Sequence, residues 1–306
     1  MSATAAPGAA EAPATAAGSP AASGLAWRPG RFTLTLERPR ILGILNVTPD
    51  SFHDGGRHAS AESALRRAEE MLRQGADAID VGGESTRPGA SAVAAASERA
   101  RVVPVITAIA RRFPDAVISV DTVKDEVARA ALDAGASAIN DVSGLRLDPA
   151  LARTAAATGA GLILMHSRGG VGEMASYDTA VYGADPVGEI VAELRQSLDR
   201  ARDAGVADAA ILLDPGLGFS KRTEHSIACL QSLDRFRALG LPLLVGPSRK
   251  RFIGDLAGGE TAELRLEGTL AACLFAVRRG ASFLRVHDVG SVRRALEVAL
   301  ALEGAP

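Results

Sequence analysis

The stretch ILGILNV, residues 41–47, is a short apolar run followed directly by the polar segment TPDS. A run of this length next to turn-forming residues is typical of a strand that is buried on both faces of a parallel sheet. Further runs of the same kind occur along the rest of the chain. The predicted strands are Ile41–Val47, Ala78–Gly82, Val117–Asp121, Ala138–Val142, Gly161–His166, Ala210–Asp214, Leu243–Gly246 and Ser282–His287.

Segments rich in Ala, Leu and Arg, with apolar residues at helical spacing, lie between these strands. The predicted helices are Ala61–Gln74, Ser97–Arg112, Lys124–Ala134, Val187–Ala204, His225–Leu239, Glu263–Arg279 and Ser291–Leu302. Eight strands alternating with helices is the number that closes a (β/α)8 TIM barrel, so an α/β TIM barrel is the predicted fold. An open doubly wound sheet is the structural alternative, because it uses the same alternation.

The N-terminal residues 1–25 are mainly Ala, Pro, Gly and Ser, too poor in bulky apolar groups to offset the entropy of ordering. We predict a disordered tail there and one barrel domain over residues 26–306. The run Phe32–Leu36 alternates apolar residues with Thr and is expected to form part of a hairpin that caps the bottom of the barrel. A signal or transit peptide would contain basic residues near the N-terminus, but no basic residue precedes Arg28. We therefore expect a cytoplasmic protein.

The charges of the chain nearly balance, with 34 Lys and Arg against 36 Asp and Glu and a formal net charge of −2. Such a chain has no general field for nucleic acid or an anionic membrane, and neither is expected as a partner. Its apolar runs are far shorter than the ~20 residues that cross a bilayer. Cys229 and Cys273 match no metal or redox spacing and are expected to be buried free thiols.

Polar residues end nearly every predicted strand, at the edge where TIM barrels carry their active sites. Each is a weak signal alone, because Asp-Pro-Gly or Asn-Asp after a strand is also a common turn or cap. Their convergence on one face indicates a ligand site. These residues are Asn46, Asp80, Glu84–Arg87, Asp121–Thr122, Asn140–Asp141, His166, Asp214–Gly216, Ser248–Lys250 and Arg285–Asp288.

The charges divide this site into two parts. Basic residues after the last two strands predict an anion site, because many barrels bind phosphate there; these are Arg249, Lys250, Arg285 and His287. Acceptors on the other side are expected to stay ionised and to recognise a flat heterocycle with several N–H groups; these are Asp121, Asn140 and Asp214. Three further residues are interpreted as structural, namely Asp80, His166 and Asp288.

Several familiar catalytic motifs are missing from the sequence. There is no HExxH or CxxC spacing for zinc, so any metal is expected to be magnesium held by oxygen ligands and substrate phosphates. There is also no GxSxG elbow, Walker A loop or GxGxxG loop. These absences argue against a zinc hydrolase, a serine hydrolase and a dinucleotide-binding enzyme.

The polar stretches, taken in order, closely resemble the dihydropteroate synthase family. They are ILGILNVTPDSFHDGG, IDVGGESTRPGA, ISVDT, INDVSG, LILMH, LLDPGLGFSK, LLVGPSRKRFIG and RVHDV. The similarity runs from about Ile41 to Leu302. The combination of NVTPDSF, GGESTRPG, SRK and RVHDV is not shared with other pterin-binding barrels, such as methyltetrahydrofolate-dependent methyltransferases.

The resemblance implies the condensation of hydroxymethyl-dihydropterin pyrophosphate with p-aminobenzoate, which gives dihydropteroate for folate synthesis. It implies a pterin site of Asp121, Asn140, Met165, Asp214 and Lys250. The pyrophosphate site would comprise Asn46, Arg285 and His287, with Asn46 also coordinating magnesium. The p-aminobenzoate pocket would comprise Phe52, Thr86, Pro88, Phe219 and Ser248.

The implied mechanism follows the charges that develop as the methylene–oxygen bond breaks. Cationic Arg285 and His287, together with magnesium, are expected to stabilise the pyrophosphate that leaves. Carboxylates are expected to stabilise the pterin cation, and closure of the first two loops over the site is a hypothesis that would exclude water. The predicted catalytic residues are Asp54, Thr86, Arg87, Asp214, Lys250, Arg285 and His287.

Two features depart from the family pattern. His53 replaces a Ser found in many members, and the fifth loop, residues 167–175, lacks the usual Met-Gln-Gly. Two other functions stay open at this point, a folate-dependent methyltransferase of the same barrel class and a pterin-binding paralogue without synthase activity. The resemblance also implies a homodimer.

Overall fold

A short antiparallel strand pair, β1 (Ala26–Trp27) and β2 (Leu34–Thr35), precedes the main sheet. The computed structural model describes residues 25–47, 57–85, 92–259 and 261–304. The strand pair confirms the predicted N-terminal hairpin. The predicted disordered tail lies outside the described residues, except for its last residue, Leu25. The division of the chain into a tail and one domain stays a prediction.

Eight parallel strands form the main sheet. They are β3 (Arg40–Asn46), β4 (Ala78–Gly82), β5 (Val117–Asp121), β6 (Ala138–Asp141), β7 (Gly161–Met165), β8 (Ile211–Asp214), β9 (Leu244–Val245) and β10 (Phe283–Val286). Strand β3 pairs with both β4 and β10, and a parallel bridge between Leu213 and Leu243 joins β8 to the segment that leads into β9. The sheet therefore forms a TIM barrel, as predicted, and not an open doubly wound sheet.

Helices surround the barrel. They are α1 (Arg57–Arg73), α2 (Ala95–Arg112), α3 (Asp125–Asp133), α4 (Ala150–Thr158), α5 (Pro186–Asp203), α6 (Thr223–Gln231), α7 (Leu233–Arg237), α8 (Arg251–Leu256), α9 (Leu266–Arg278) and α10 (Val289–Leu302). Helices α4 and α8 were missed by the sequence pattern, because nine and six residues make too few turns to establish a period. The one helix predicted over His225–Leu239 is interrupted at Ser232, whose backbone is not helical.

A large core of apolar side chains fills the space between the barrel and its helices. Cys229 and Cys273 are buried free thiols, as predicted. Within the described ranges, no helix has the length and apolar character needed to cross a membrane.

A second apolar cluster fills the bottom of the barrel. Each of the eight strands contributes one member, and these are Leu42, Ala78, Val117, Ala138, Ile163, Leu212, Leu244 and Phe283. Trp27 of the hairpin packs against this cluster, with its ring centroid 5.3 Å from that of Phe283, and its Nε1 donates to the Ala210 carbonyl at 2.8 Å. Gly161 leaves room for the indole, since a Cβ there would lie 2.7 Å from Trp27 Cζ2. The hairpin thus closes the amino end, and the polar strand ends lie at the other.

Removing the Trp27 side chain from the bottom of the barrel is expected to destabilise the whole barrel. Trp27→Ala should lower the free energy of unfolding by about 3–5 kcal/mol, because it empties a large buried volume. Urea unfolding of the variant and the parent protein measures the difference. Leu147→Ala is the matched control, since Leu147 is 41% exposed and should cost well under about 1 kcal/mol. An equally small loss of unfolding free energy for Trp27→Ala would show that the packing of Trp27 does not stabilise the barrel.

Candidate active site

One connected network of charges spans the carboxyl ends of the barrel strands. Asp80, on β4, is completely buried. Its Oδ2 accepts hydrogen bonds from Asn140 Nδ2 at 2.9 Å and from Arg285 Nε at 2.7 Å. The same guanidinium reaches Asp121, with 2.6 Å between Arg285 Nη2 and Asp121 Oδ2. Side chains from four different strands therefore meet inside the mouth of the barrel.

Arg285 lies between two carboxylates and not only among cations, which corrects the simple charge division expected from the sequence. Burial opposes its charge, but the carboxylates of Asp80 and Asp121 outweigh burial and raise the pKa of Arg285. The guanidinium therefore stays charged. These contacts are consistent with the structural interpretation of Asp80.

Burial raises the pKa of two acidic groups that were expected to recognise a heterocycle. It brings the pKa of Asp121 to about 7, opposed by Arg285 and reinforced by Asp80. It brings the pKa of Asp214 to about 6, opposed by the Gly216 N–H, which donates to Asp214 Oδ1 at 2.7 Å. Burial thus works against the expectation that these carboxylates stay ionised, and for Asp121 the ion pair with Arg285 works in its favour.

Lys250 packs on an aromatic wall. Its Nζ lies 3.7 Å from the ring centroid of Phe219, at the distance of a cation–π contact. Burial, and then the nearby Arg285, lower the pKa of Lys250 to about 7. Phe219 belongs to an apolar cluster that includes Met165 and Met174. The site therefore combines buried charges with an apolar surface on which a flat ring can lie.

Ser248 and His287 form a pair beside Arg285. Ser248 Oγ lies 2.9 Å from His287 Nδ1 and accepts the His287 backbone N–H at 3.2 Å. Burial, and then Arg285, lower the pKa of His287 to about 3, so this imidazole is neutral and not cationic as expected. Arg249 also departs from the predicted anion cluster, because it pairs with Asp288 at 3.0 and 2.7 Å. The structural interpretation of Asp288 fits this pair.

The sequence matches the pterin binding enzyme family over residues 42–287. It is 44% identical to the dihydropteroate synthase of Synechocystis sp. over 266 residues, covering 87% of this chain and 91% of that protein. The chain belongs to the dihydropteroate synthase family. The resemblance inferred from the strand-end motifs is thereby confirmed.

Solved structures of the dihydropteroate synthase family share the fold. One is Xanthomonas albilineans dihydropteroate synthase with 4-aminobenzoic acid, at a TM-score of 0.82 and 44% identity, covering 90% of this chain and 96% of that chain. Another is the Xanthomonas albilineans synthase in complex with 7,8-dihydropteroate, at a TM-score of 0.79 and 41% identity, covering 90% and 97%. The family assignment therefore applies to nearly the whole barrel.

Asn46, the predicted pyrophosphate and magnesium ligand, ends β3 at the mouth of this synthase barrel. Its side chain is exposed. A Cβ placed on Gly82, its partner in β4, would lie 3.7 Å from Asn46 Oδ1 and 3.8 Å from Asp121 Oδ2. Because Gly82 has no side chain, the Asn46 amide and the Asp121 carboxylate both border the same open space.

Part of the predicted synthase site lies outside the described residues. This applies to five residues assigned to catalysis or p-aminobenzoate binding, namely Phe52, Asp54, Thr86, Arg87 and Pro88, and also to the departure at His53. Loop closure, which involves these segments, stays a hypothesis. Within the described residues, the predicted pterin and pyrophosphate groups all lie at the carboxyl end of the barrel.

One buried cation of the synthase site was missed by the sequence analysis. Lys221 follows the turn after β8 and is only 1% exposed. The sequence does show it, as the last residue of LLDPGLGFSK, but a Lys after a turn is usually solvated. Only the packing of distant segments around it makes it unusual.

Proposed function

We propose that the chain condenses hydroxymethyl-dihydropterin pyrophosphate with p-aminobenzoate to give dihydropteroate and pyrophosphate. The observation that carries this proposal is the network in which Arg285 bridges Asp80 and Asp121 beside Asn140. It brings acceptors for a heterocycle and a cation for a leaving group together in one barrel mouth. Structures of the Xanthomonas albilineans dihydropteroate synthase contain 4-aminobenzoic acid or 7,8-dihydropteroate.

The pterin would be recognised by the acceptors Asp121, Asn140 and Asp214. Asn140 donates its Nδ2 to Asp80, and no donor in the described part of the chain pairs with its Oδ1, which could accept from a ring N–H. Asp214 uses Oδ1 for the Gly216 N–H, and its Oδ2 has no hydrogen-bond donor among the described residues, so it could accept from the ring. Each acceptor would thus be oriented before the substrate binds. Such a site favours a ring whose edge carries several N–H donors over rings that lack them.

The leaving group would be stabilised by Arg285 and His287. A guanidinium has five N–H donors, and only two of those on Arg285 are used by Asp80 and Asp121. Ser248 Oγ lies 2.9 Å from His287 Nδ1, and if the hydroxyl donates to this nitrogen, the Nε2–H is a neutral donor for the leaving group. As the methylene–oxygen bond breaks, these donors favour the charged pyrophosphate over the bound ester. His287 would thus act by hydrogen bonding, while Arg285 supplies the charge.

The second substrate, p-aminobenzoate, would bind beside Phe219 and Ser248, together with Phe52, Thr86 and Pro88. Phe219 offers an aromatic face next to Lys250. Catalytic roles for Asp54, Thr86, Arg87 and Lys250 are part of the same proposal. Lys250 would hold the pterin and contribute charge near Asp214.

Magnesium would be held by Asn46 and by the substrate's own phosphates. Within the described residues, no group of three His, Cys, Asp or Glu side chains could hold a metal ion. An exposed amide oxygen fits an ion that keeps several waters and takes its other ligands from phosphates. When bound, magnesium would help to neutralise the departing pyrophosphate. A homodimer and a cytoplasmic location also stay predictions.

An assay of pyrophosphate release tests the function. The pterin pyrophosphate is incubated with and without p-aminobenzoate in the presence of magnesium, and both pyrophosphate and dihydropteroate are quantified. The proposal expects equal amounts of the two products when both substrates are present. Absence of both products would leave a pterin-binding paralogue. Methyl transfer from a methylated folate, with no dihydropteroate formed, would favour the methyltransferase.

Pterin affinity is expected to fall in acid. Binding needs Asp214 ionised, and its pKa is about 6 in the unliganded site. Protonation of Asp214 should therefore lower the association constant by about tenfold per pH unit below pH 6. Calorimetric titration with hydroxymethylpterin, which carries no phosphate, measures this profile. A flat profile between pH 5 and 8 would argue against Asp214 as the acceptor.

A further inference from the structure

Lys221 is a buried cation for which the proposed reaction has no direct use. Its Nζ lies 2.8 Å from His166 Nδ1, 3.0 Å from the Phe219 carbonyl and 3.3 Å from the His166 carbonyl. An ammonium group has three N–H donors, and here each has an acceptor. The charged form of Lys221 therefore satisfies its hydrogen bonds completely inside the protein.

The acceptor role of His166 Nδ1 selects one tautomer of that ring. His166 Nε2 must then carry the proton, and it lies 3.0 Å from Glu193 Oε2. Burial, and then the charge of Lys221, lower the pKa of His166 to about 3, so the ring is neutral. Arg168 pairs with Glu193 at the outer end of this chain. Hydrogen bonds therefore connect Lys221 through His166 and Glu193 to Arg168, which is partly exposed.

The contacts of Lys221 join two loops at the active-site end. The segment after β7 contains His166, and the segment after β8, which follows Asp214, runs from Pro215 to Phe219. The two are already close, because the His166 N–H donates to the Asp214 carbonyl at 2.9 Å. Gly216 has φ +72°, and a Cβ there would collide with the His166 carbonyl. Lys221 adds a second connection between the two segments, because its Nζ donates to His166 and to the Phe219 carbonyl.

The charge of Lys221 also acts on Asp214, which recognises the pterin. It lowers the pKa of Asp214, together with Lys250 and Arg285. Burial lowers the pKa of Lys221 itself to about 8, and the groups that face it are Cys229, Asp214, Glu193 and Arg168 as well as His166. At pH 7 most of Lys221 is therefore charged, and it favours an ionised Asp214.

We propose that Lys221 is a positioning residue of the synthase site: its ammonium ties the loops after β7 and β8 together and so places Asp214 and Phe219 against the substrates. This inference rests on the proposed function of those two residues. A buried ion pair or cation seldom adds stability over a well-packed apolar residue. A role in holding the binding groups accounts for a charge at this position, whereas stability alone does not.

Lys221→Met tests the proposal, because methionine fills a similar volume without donors or charge. The variant is expected to bind hydroxymethylpterin at least about tenfold more weakly at pH 7, since a binding loop loses its anchor. The pH below which its pterin affinity falls should rise by about one unit, because Asp214 loses a nearby cation. KM for p-aminobenzoate should also rise, because Phe219 is no longer held.

The matched control is Arg40→Met at the opposite end of the barrel. Arg40 is largely buried and pairs with Asp77 at 3.0 Å. This variant should lower the melting temperature while leaving the pterin affinity and its pH profile unchanged. Wild-type affinity and an unshifted pH profile in Lys221→Met would overturn the proposal, while product formation by the parent protein would leave the proposed function intact.

A measurement on the parent protein covers the case in which Lys221→Met does not fold. Nitrogen-15 NMR of His166 at pH 7 should show a neutral ring with the proton on Nε2. A proton on Nδ1 would remove the acceptor for Lys221 and overturn the proposal. This result does not depend on catalysis, so it separates a failure of the positioning role from a failure of the synthase function.

Discussion

Arg285→Ala is expected to lower the turnover number by about 100-fold or more, because it removes the charge that stabilises the departing pyrophosphate. Pterin affinity should change less, since the acceptors for the ring remain. Steady-state rates of pyrophosphate release, with both substrates saturating, measure the effect. A normal turnover number would place the phosphate site elsewhere.

The same substitution is expected to weaken the fold, and this effect must be separated from catalysis. It leaves Asp80 buried without its cation, a change that typically costs about 3–5 kcal/mol. Arg285→Leu combined with Asp80→Asn removes both charges, and should recover much of the stability while turnover stays low. Recovery of turnover together with stability would indicate that Arg285 has only a structural role.

Asp214→Asn is expected to reduce pterin affinity by about 100-fold or more. If the asparagine keeps the Gly216 N–H at its Oδ1, its NH2 faces the ring N–H groups and two donors meet. The side chains have nearly the same shape, so the fold should be retained. Calorimetric titration with hydroxymethylpterin measures the loss.

The control for Asp214→Asn is its pH profile. Because the amide does not titrate, the residual pterin affinity should no longer fall below pH 6 as it does in the parent protein. Unchanged affinity at pH 7 would refute the assignment of Asp214. If the variant binds more weakly but its affinity still falls below pH 6, the titrating group would be another one, such as Asp121.

The unliganded site holds Arg285, the proposed catalytic cation, in an ion-paired position. Arg285 pairs with both Asp80 and Asp121, so its orientation would be set before the pyrophosphate binds. Such preorganisation reduces the rearrangement required as charge develops in the transition state. Asp80, which has no predicted contact with substrate, would thus contribute by orienting Arg285.

The positions of the site residues along the chain were predictable from local pattern. In a parallel barrel all strands end at the same face, so a polar residue after each apolar run is enough to predict the convergence of Asn46, Asp121, Asn140 and Asp214. The motifs around them were distinctive enough to indicate the family. Short helices such as α4 were missed because a few residues give no measurable period.

The amino-acid sequence by itself determined the barrel, the face that carries the site and the family, because these depend on strand order and on residues close together in the chain. Only the tertiary structure decided the charge state and partners of the site groups. Arg285 and Asp80 are 205 residues apart, and the neutral His287 and the buried Lys221 depend on packing by several distant segments. Burial and the distance between charges set a pKa, and neither quantity exists until the chain has folded.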